Sequence, residues 1–95
     1  MCNMGNNDQF EIGRVVRAKA GRDKGKFFII VGRIDQEYVL LANGTNRSIK
    51  KPKKKKIKHL EAKPDVVYNL RDKINDGKQV FDAEIRKSLE MMGYE

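Results

Sequence analysis

The chain contains few of the residues on which disulfides, metal sites and catalytic centres depend. It has one cysteine, Cys2, and one histidine, His59, so it can form neither an internal disulfide nor a zinc site of Cys and His ligands. Thr45 and Ser48 have no triad-like partners, and the acidic residues of the first two-thirds are isolated from one another. We therefore expect a non-catalytic protein without cofactor or metal, located in the reducing cytoplasm.

Long apolar runs are also missing, and aromatic residues are few. No stretch reaches the roughly 18 apolar residues of a membrane span, and residues 1–7 are too polar for a signal-peptide core. Tryptophan is absent, and 95 residues of which 39% are hydrophobic can fill one small core but no deep cleft. We expect one small monomeric domain that makes no membrane contact.

Basic residues are abundant and unevenly distributed. The formal net charge is +8. Residues 1–63 contain 16 Lys and Arg against 6 Asp and Glu, whereas residues 64–95 contain 5 against 7. A field of this sign attracts polyanions before any specific contact forms. The first two-thirds of the chain are therefore predicted to carry a polyanion-binding surface.

The same two-thirds have the pattern of short β-strands. Apolar and basic residues alternate after Arg14, which predicts a strand with one wet face, and the next two strands are apolar runs. Two glycines in residues 21–26 favour a hairpin loop, and Asn43-Gly44 favours a type I′ turn. The predicted strands are residues 14–20, 27–31, 38–42, 45–49 and 57–61. Five short strands with tight connections predict a small barrel.

At Pro64 the pattern changes to helical spacing. It predicts one helix over residues 65–76 and a second that Asp82 caps and Gly93 ends. Met91 and Met92 are expected to dock on the barrel, the alternative being a surface for a protein partner. The chain is thus divided into a disordered arm, residues 1–9, a barrel, residues 10–63, and a helical extension packed on it, residues 64–95.

Seven lysines lie within the nine residues 50–58, and this is the strongest functional signal. Like charges at this density repel one another, and Pro52 keeps the segment extended, so a charged loop is predicted to follow a phosphate backbone. A merely solvated loop and a nuclear-import signal are the alternatives. Residues 21–26 supply a second basic loop without the spacing of a nucleotide-binding P-loop.

Residues 12–26, IGRVVRAKAGRDKGK, together with the apolar run that follows, resemble the KOW motif, with Gly25 at its central glycine. The later blocks YVLL at 38–41, IKHLE at 57–61 and DAEIRKSL at 82–89 resemble the layout of the large-subunit ribosomal fourteen-e group. The compact helical tail is similar to that of small free-standing bacterial KOW proteins. The resemblance implies an SH3-like barrel, ribosomal RNA as the partner and no catalysis.

Together these patterns predict a mostly β protein, a five-stranded SH3-like barrel of KOW type with two short C-terminal helices. The predicted function is non-catalytic RNA binding in the translation apparatus, by phosphate contacts to ribosomal RNA. An SH3-like module that binds a ribosomal or other protein is the alternative. Tyr38, or Phe27 or Phe28, could also stack on bases, and His59 could contact RNA or pack in the sheet. The predicted RNA-binding residues are Arg22, Lys24, Gly25, Lys26, Arg47, Lys50, Lys51, Lys53, Lys54, Lys55, Lys56, Lys58 and His59.

Overall fold

A computed structural model describes residues 9–94, which form one antiparallel sheet and two helices. The apolar stretches at residues 27–31 and 38–42 form its middle strands, as their sequence pattern predicts. The strands are β1, Arg14–Ala18; β2, Phe27–Arg33; β3, Tyr38–Ala42; β4, Lys53–Lys56; and β5, Leu60–Val66. The helices are α1, Tyr68–Asn75, and α2, Asp82–Met91.

The five strands pair in the order β4-β3-β2-β1-β5, so strands that are consecutive in sequence form the two edges. Four spacings of about 4.8 Å would put the edges of a flat sheet about 19 Å apart. The connection from Lys56 to Leu60 is the 3-10 helix Ile57–His59, and four residue steps reach about 14 Å at most. The sheet is therefore strongly curled. No β4–β5 ladder joins its edges within residues 9–94, so the predicted closed barrel is not confirmed.

Both faces of the sheet are buried. Val16, Phe28 and Leu41 lie in a cluster on the inner face of the curl. Val15 and Ile29 point the other way and pack with residues of the helices, which cover the outer face. The predicted wet face of β1 is present only in part: the Arg17 side chain is 40% exposed, whereas Val15 on the same face is 0% exposed. Burial on two faces also explains why β2 is a continuous apolar run.

The segment after β3 differs most from the sequence prediction. A type I′ turn needs positive φ at both central residues, but among the described residues only glycines have positive φ, and Gly44 has 79°. The Asn43 side-chain oxygen instead accepts the backbone N–H groups of Thr45 and Arg47, both at 3.0 Å. This local bonding holds residues 45–49 as a loop, so the strand predicted there is absent.

Three further boundaries were predicted wrongly. Part of the predicted lysine loop, Lys53–Lys56, is a strand, and the predicted final strand begins with a 3-10 helix and runs on as β5 to Val66. Pro64 therefore lies in a strand and does not start a helix. Asp82 is the first residue of α2, and its carboxylate accepts the backbone N–H of Ile49 at 2.8 Å. It ties the loop to the helix, and it does not cap its own helix.

The helical tail packs on the sheet through part of its predicted apolar stripe. Ile85 is 0% exposed and Leu89 5% exposed. Met91 and Met92 are 86% and 37% exposed, so the prediction that they dock on the sheet is wrong. Neither helix among residues 9–94 is long and apolar enough to cross a membrane. The predicted arm falls almost wholly on residues 1–8, which lie outside the described part of the chain.

Glu84 ties α2 to α1 and makes the stability of the fold depend on pH. Its carboxylate accepts a hydrogen bond from Lys73 and, at 3.1 Å, the backbone N–H of Phe81. These bonds hold the pKa of Glu84 below its ordinary value of 4.5. A lowered carboxyl pKa stabilises the fold above pH 4.5, and this stabilisation is lost as the pH falls through the folded-state pKa.

We expect Glu84→Gln to flatten the acid limb of the stability curve below about pH 4.5, because the variant has no proton to take up there. Urea unfolding midpoints measured at a series of pH values would show this. An acid limb as steep as that of the unaltered chain would contradict the assignment.

Candidate nucleic-acid interface

The lysine-rich segment forms the edge strand β4. Its register places Lys56 opposite Tyr38 and Lys53 opposite Leu41. An edge strand tolerates this composition because one side of its backbone pairs with β3 while the lysines remain next to solvent, and charge on an edge also discourages pairing with other sheets. The strand rise of about 3.3 Å per residue then sets a regular spacing between the ammonium groups.

On one face of β4, two lysines lie over the ring of Tyr38. The Nζ atom of Lys54 is 4.6 Å and that of Lys56 5.7 Å from the ring centroid. Lys56 also lies 3.8 Å from the Glu37 carboxylate. The ring holds the two ammonium groups near each other by cation–π attraction. Tyr38 thus orients cations, and stacking of a base on it remains a prediction.

On the other face, Lys55 connects β4 to the basic hairpin that follows β1. Its Nζ donates a hydrogen bond to the carbonyl oxygen of Ala20 at 3.0 Å. This contact brings residues 21–26 beside the lysine strand, although the two segments are 35 residues apart where they meet. Lys55 was predicted to bind RNA, but its ammonium donates a hydrogen bond to the protein's own backbone. Its role is therefore to hold the two basic segments together rather than to contact RNA first.

The hairpin itself is built by two glycines and exposes its cations. Gly21 and Gly25 have φ of 85° and 89°, which side chains with a Cβ rarely adopt. The Gly25 N–H donates to Ala18 O at 2.8 Å and closes the turn. Arg22, Lys24 and Lys26 are exposed around it. We call these hairpin residues, 21–26, together with residues 50–58 the basic surface.

A buried carboxylate, Asp23, lies inside this hairpin and was not identified from the sequence. Its side chain is 7% exposed and accepts hydrogen bonds from Arg47 Nη2 at 3.0 Å and Nε at 3.3 Å. Arg47 was predicted to bind RNA, but its guanidinium faces Asp23 and fixes the loop after β3 against the hairpin. The sequence did contain one sign of this role: Asp23 is the single acidic residue among the cations of residues 21–26.

We expect Asp23→Asn to lower the free energy of unfolding by about 1–3 kcal/mol, because it removes the charge of the one oxygen that accepts two Arg47 N–H groups and leaves Arg47 poorly paired. Urea denaturation would measure the change, with the exposed Asp76→Asn as a control expected within about 0.5 kcal/mol of the original chain. Equal effects of the two substitutions would contradict a structural role for Asp23.

The other predicted cations lie at the two ends of β4. Lys50 and Lys51 are exposed before it, where the Lys51 N–H donates to Ser48 Oγ at 3.1 Å. Lys58 is exposed in the 3-10 helix, next to the half-buried His59. The His59 carbonyl accepts the N–H of Lys19 at 2.8 Å, so the exposed Lys19 lies beside this end. Lys19 was missed because it sits within an ordinary alternating strand.

Two more cations near β5 are partly neutralised. Glu61 lies 3.5 Å from Lys63 and 3.3 Å from Arg17. The Lys63 charge, and next the hydrogen bond from Arg17, lower the pKa of Glu61 from its ordinary value. This edge of the sheet is therefore less available to an anion than β4. Within residues 9–94 no three His, Cys, Asp or Glu side chains are grouped as a metal site.

Comparison with known proteins relates the chain to a ribosomal protein. No protein-family model matches the chain. The large ribosomal subunit protein eL14 of Hyperthermus butylicus is 32% identical to it over 83 residues, which are 87% of this chain and 78% of the relative. An alignment of this length includes the sheet, the basic surface and most of the helical tail. The chain therefore belongs to the family of the large ribosomal subunit protein eL14.

Proposed function

We propose that the chain is a non-catalytic RNA-binding protein of the ribosome, and that its basic surface contacts the phosphate backbone of ribosomal RNA. The observation that supports this most is the Lys55–Ala20 hydrogen bond, which brings the two most basic segments together on one part of the fold. Exposed cations in both segments then act on the same polyanion. Membership of a ribosomal protein family supplies the RNA class.

The chemistry of the surface favours contact with phosphate rather than base recognition. Its exposed groups are mainly lysine ammoniums, which act as point charges, and the guanidinium of Arg47 is turned inward toward Asp23. Lys54 and Lys56, two residues apart on one face, are about 6.6 Å apart along the strand. A row of this kind can neutralise successive phosphates without reading the sequence.

We also propose that the curled sheet is an SH3-like barrel of KOW type and that the chain is a bacterial-type member of the family. The positive φ of Gly25 at the centre of residues 12–26, and edge strands joined by only three residues, support the first. The short helices α1 and α2, of 8 and 10 residues, support the second. The predicted division into a barrel, residues 10–63, and an extension, residues 64–95, then shifts by three residues, because β5 of the barrel ends at Val66.

Ribosome co-sedimentation at low and high salt tests the function. We expect the protein to travel with ribosomal particles at about 0.05 M salt and to be released near 0.5 M, because phosphate contacts weaken steeply with salt. Crosslinking from a reactive group placed at Lys54 should reach RNA. Crosslinks to ribosomal protein alone, with association that ignores salt, would favour a protein-binding module instead. Competition by DNA as effective as by matched RNA would contradict the choice of RNA.

A further inference from the structure

A groove of about 360 Å³ lies between the basic hairpin, the loop after β3 and the end of α2. Its volume is near the lower limit of ligand pockets, which suits one small ring system rather than a peptide or a helix. The groove begins at Gly25 and Lys26, so it is continuous with the basic surface. The phosphate contacts proposed above leave its other walls unused.

One wall of the groove is aromatic. The rings of Phe27 and Tyr94 have centroids 4.9 Å apart and are tilted by 44°. The Tyr94 hydroxyl donates to Asp65 at 2.7 Å, and its backbone N–H donates to Leu89 O at 2.8 Å. Both rings are partly exposed. A fixed, half-open aromatic wall is the feature on which unpaired RNA bases stack.

The loop after β3 supplies an amide, that of the exposed Asn46, to the groove lining. Asn43 Nδ2 donates to Asn46 Oδ1 at 2.8 Å, which uses the Asn46 oxygen and leaves its NH₂ group without a partner among residues 9–94. Arg86, another residue of the lining, donates from Nη1 to Gly44 O at 3.3 Å, which ties its guanidinium to the loop after β3. The groove therefore presents N–H donors to an acceptor atom of a ligand, and two cations, Lys26 and Arg86, to a nearby phosphate.

Glu90 supplies the one carboxylate of the groove lining. It lies one helical turn after Arg86, the spacing at which the two would form a helix-surface ion pair. No ion pair or side-chain hydrogen bond engages Glu90 within residues 9–94. This exposed carboxylate would repel RNA phosphate, but it can accept hydrogen bonds from the N–H groups of a base.

We propose that this groove holds one unpaired guanine of the RNA bound by the basic surface. Guanine is the only standard RNA base whose pairing edge has one acceptor, O6, next to two donors, N1–H and N2–H₂. In the bound state the Asn46 amide donates to O6, Glu90 accepts the two donors, and the base stacks on the Tyr94 wall. This assignment rests on the proposed function and adds base selection to it.

RNA hairpins that differ in one nucleotide test the assignment with the full chain. The stem and length are constant, and the single bulged nucleotide is guanosine, adenosine, cytidine, uridine or inosine, with an unbulged hairpin for reference. We expect the guanosine bulge to bind about ten-fold more tightly than the others, and inosine, which lacks the N2 amino group, to lose most of that advantage. The inosine comparison requires no altered protein.

Glu90→Gln separates base recognition from general electrostatics. Removing a negative charge strengthens binding of every hairpin, whereas loss of the carboxylate removes the guanosine preference, so the two effects have opposite signs for the guanosine bulge. Glu37→Gln, at the exposed carboxylate near Lys56, is the matched control and should leave the preference intact. Circular dichroism confirms that both variants fold.

The outcomes distinguish this inference from the proposed function. Equal affinity for all bulges, with tight and salt-sensitive binding preserved, overturns the guanine site and leaves phosphate binding in place. A preference that survives Glu90→Gln also overturns it. Failure to bind any hairpin in dilute buffer overturns the proposed function itself. A guanosine preference that inosine and Glu90→Gln both abolish supports the site.

Discussion

Substituting glutamine for the four exposed lysines of residues 50–58 is expected to weaken RNA binding about 100-fold or more at about 0.1 M salt. Each lysine that neutralises a phosphate releases condensed counterions, and the four losses act together because Lys54 lies in the edge strand β4 and the other three lie in the segments at its two ends. The variant should fold, since exposed side chains contribute little to stability. The substituted residues are Lys50, Lys51, Lys54 and Lys58.

Fluorescence anisotropy with a labelled ribosomal RNA fragment would measure the loss. A charge-matched pair of double variants is the control: Lys54→Gln with Lys58→Gln should cost about ten-fold or more, whereas Lys78→Gln with Lys87→Gln should cost less than about three-fold. Lys78 and Lys87 are exposed in the helical tail, outside the sheet and more than 20 residues after β4 in sequence. Equal losses in the two pairs would mean that net charge, and not this surface, determines binding.

Gly44→Ala is expected to lower the free energy of unfolding by about 3 kcal/mol or more. A Cβ atom at this position would lie 2.3 Å from the Asp82 carbonyl oxygen and 2.9 Å from the Arg86 amide nitrogen, both backbone atoms of α2. The helix or the loop must therefore move. The φ of 79° adds the cost of a left-handed conformation for a residue with a Cβ.

Gly77→Ala isolates the second of these costs. Gly77 has a similar φ of 74°, but nothing lies within 4 Å of a Cβ built there. We expect a loss of about 1–2 kcal/mol for this control in urea denaturation. If Gly44→Ala costs no more than Gly77→Ala, the loop after β3 is not held against α2 as the structure describes. The guanine groove, which shares this loop, would then lose its fixed wall.

The strands in the middle of the sheet could be predicted because their own hydrophobicity indicates that they are buried. The prediction of residues 38–42 as a strand matches β3, and β2 was predicted from its apolar run and only extends further, to Arg33. In a short, charged chain, a continuous apolar run of five residues is fully buried only if it forms a strand that is covered on both faces. The start of α2 near Asp82 was found for a related reason, its apolar stripe at helical spacing.

The edge strands could not be predicted because neighbours determine them. Four consecutive lysines give no strand signal, and β4 forms because β3 offers a backbone partner in register. Pro64 suggested a helix start, yet it is tolerated in β5, which lies at the other edge of the sheet. In both places tertiary pairing overrides the local tendency of the residues.

For the site, the sequence located the cations but not how they are held. The density of lysines in residues 50–58 and the glycine-containing hairpin were evident from composition alone. The Lys55–Ala20 bond and the Asp23–Arg47 pair join segments 35 and 24 residues apart, and no local pattern encodes such contacts. The predicted division of the chain into arm, barrel and extension, and the RNA contacts of the named residues, remain predictions.

The most direct measurement of phosphate binding by the basic surface is a salt titration of the unaltered protein with a ribosomal RNA fragment. With about six phosphates neutralised, the logarithm of the affinity should fall with the logarithm of salt concentration at a slope of about −4 to −5. The slope for the four-lysine variant should be shallower by about 3. A slope near zero for the unaltered protein would contradict backbone binding through these lysines.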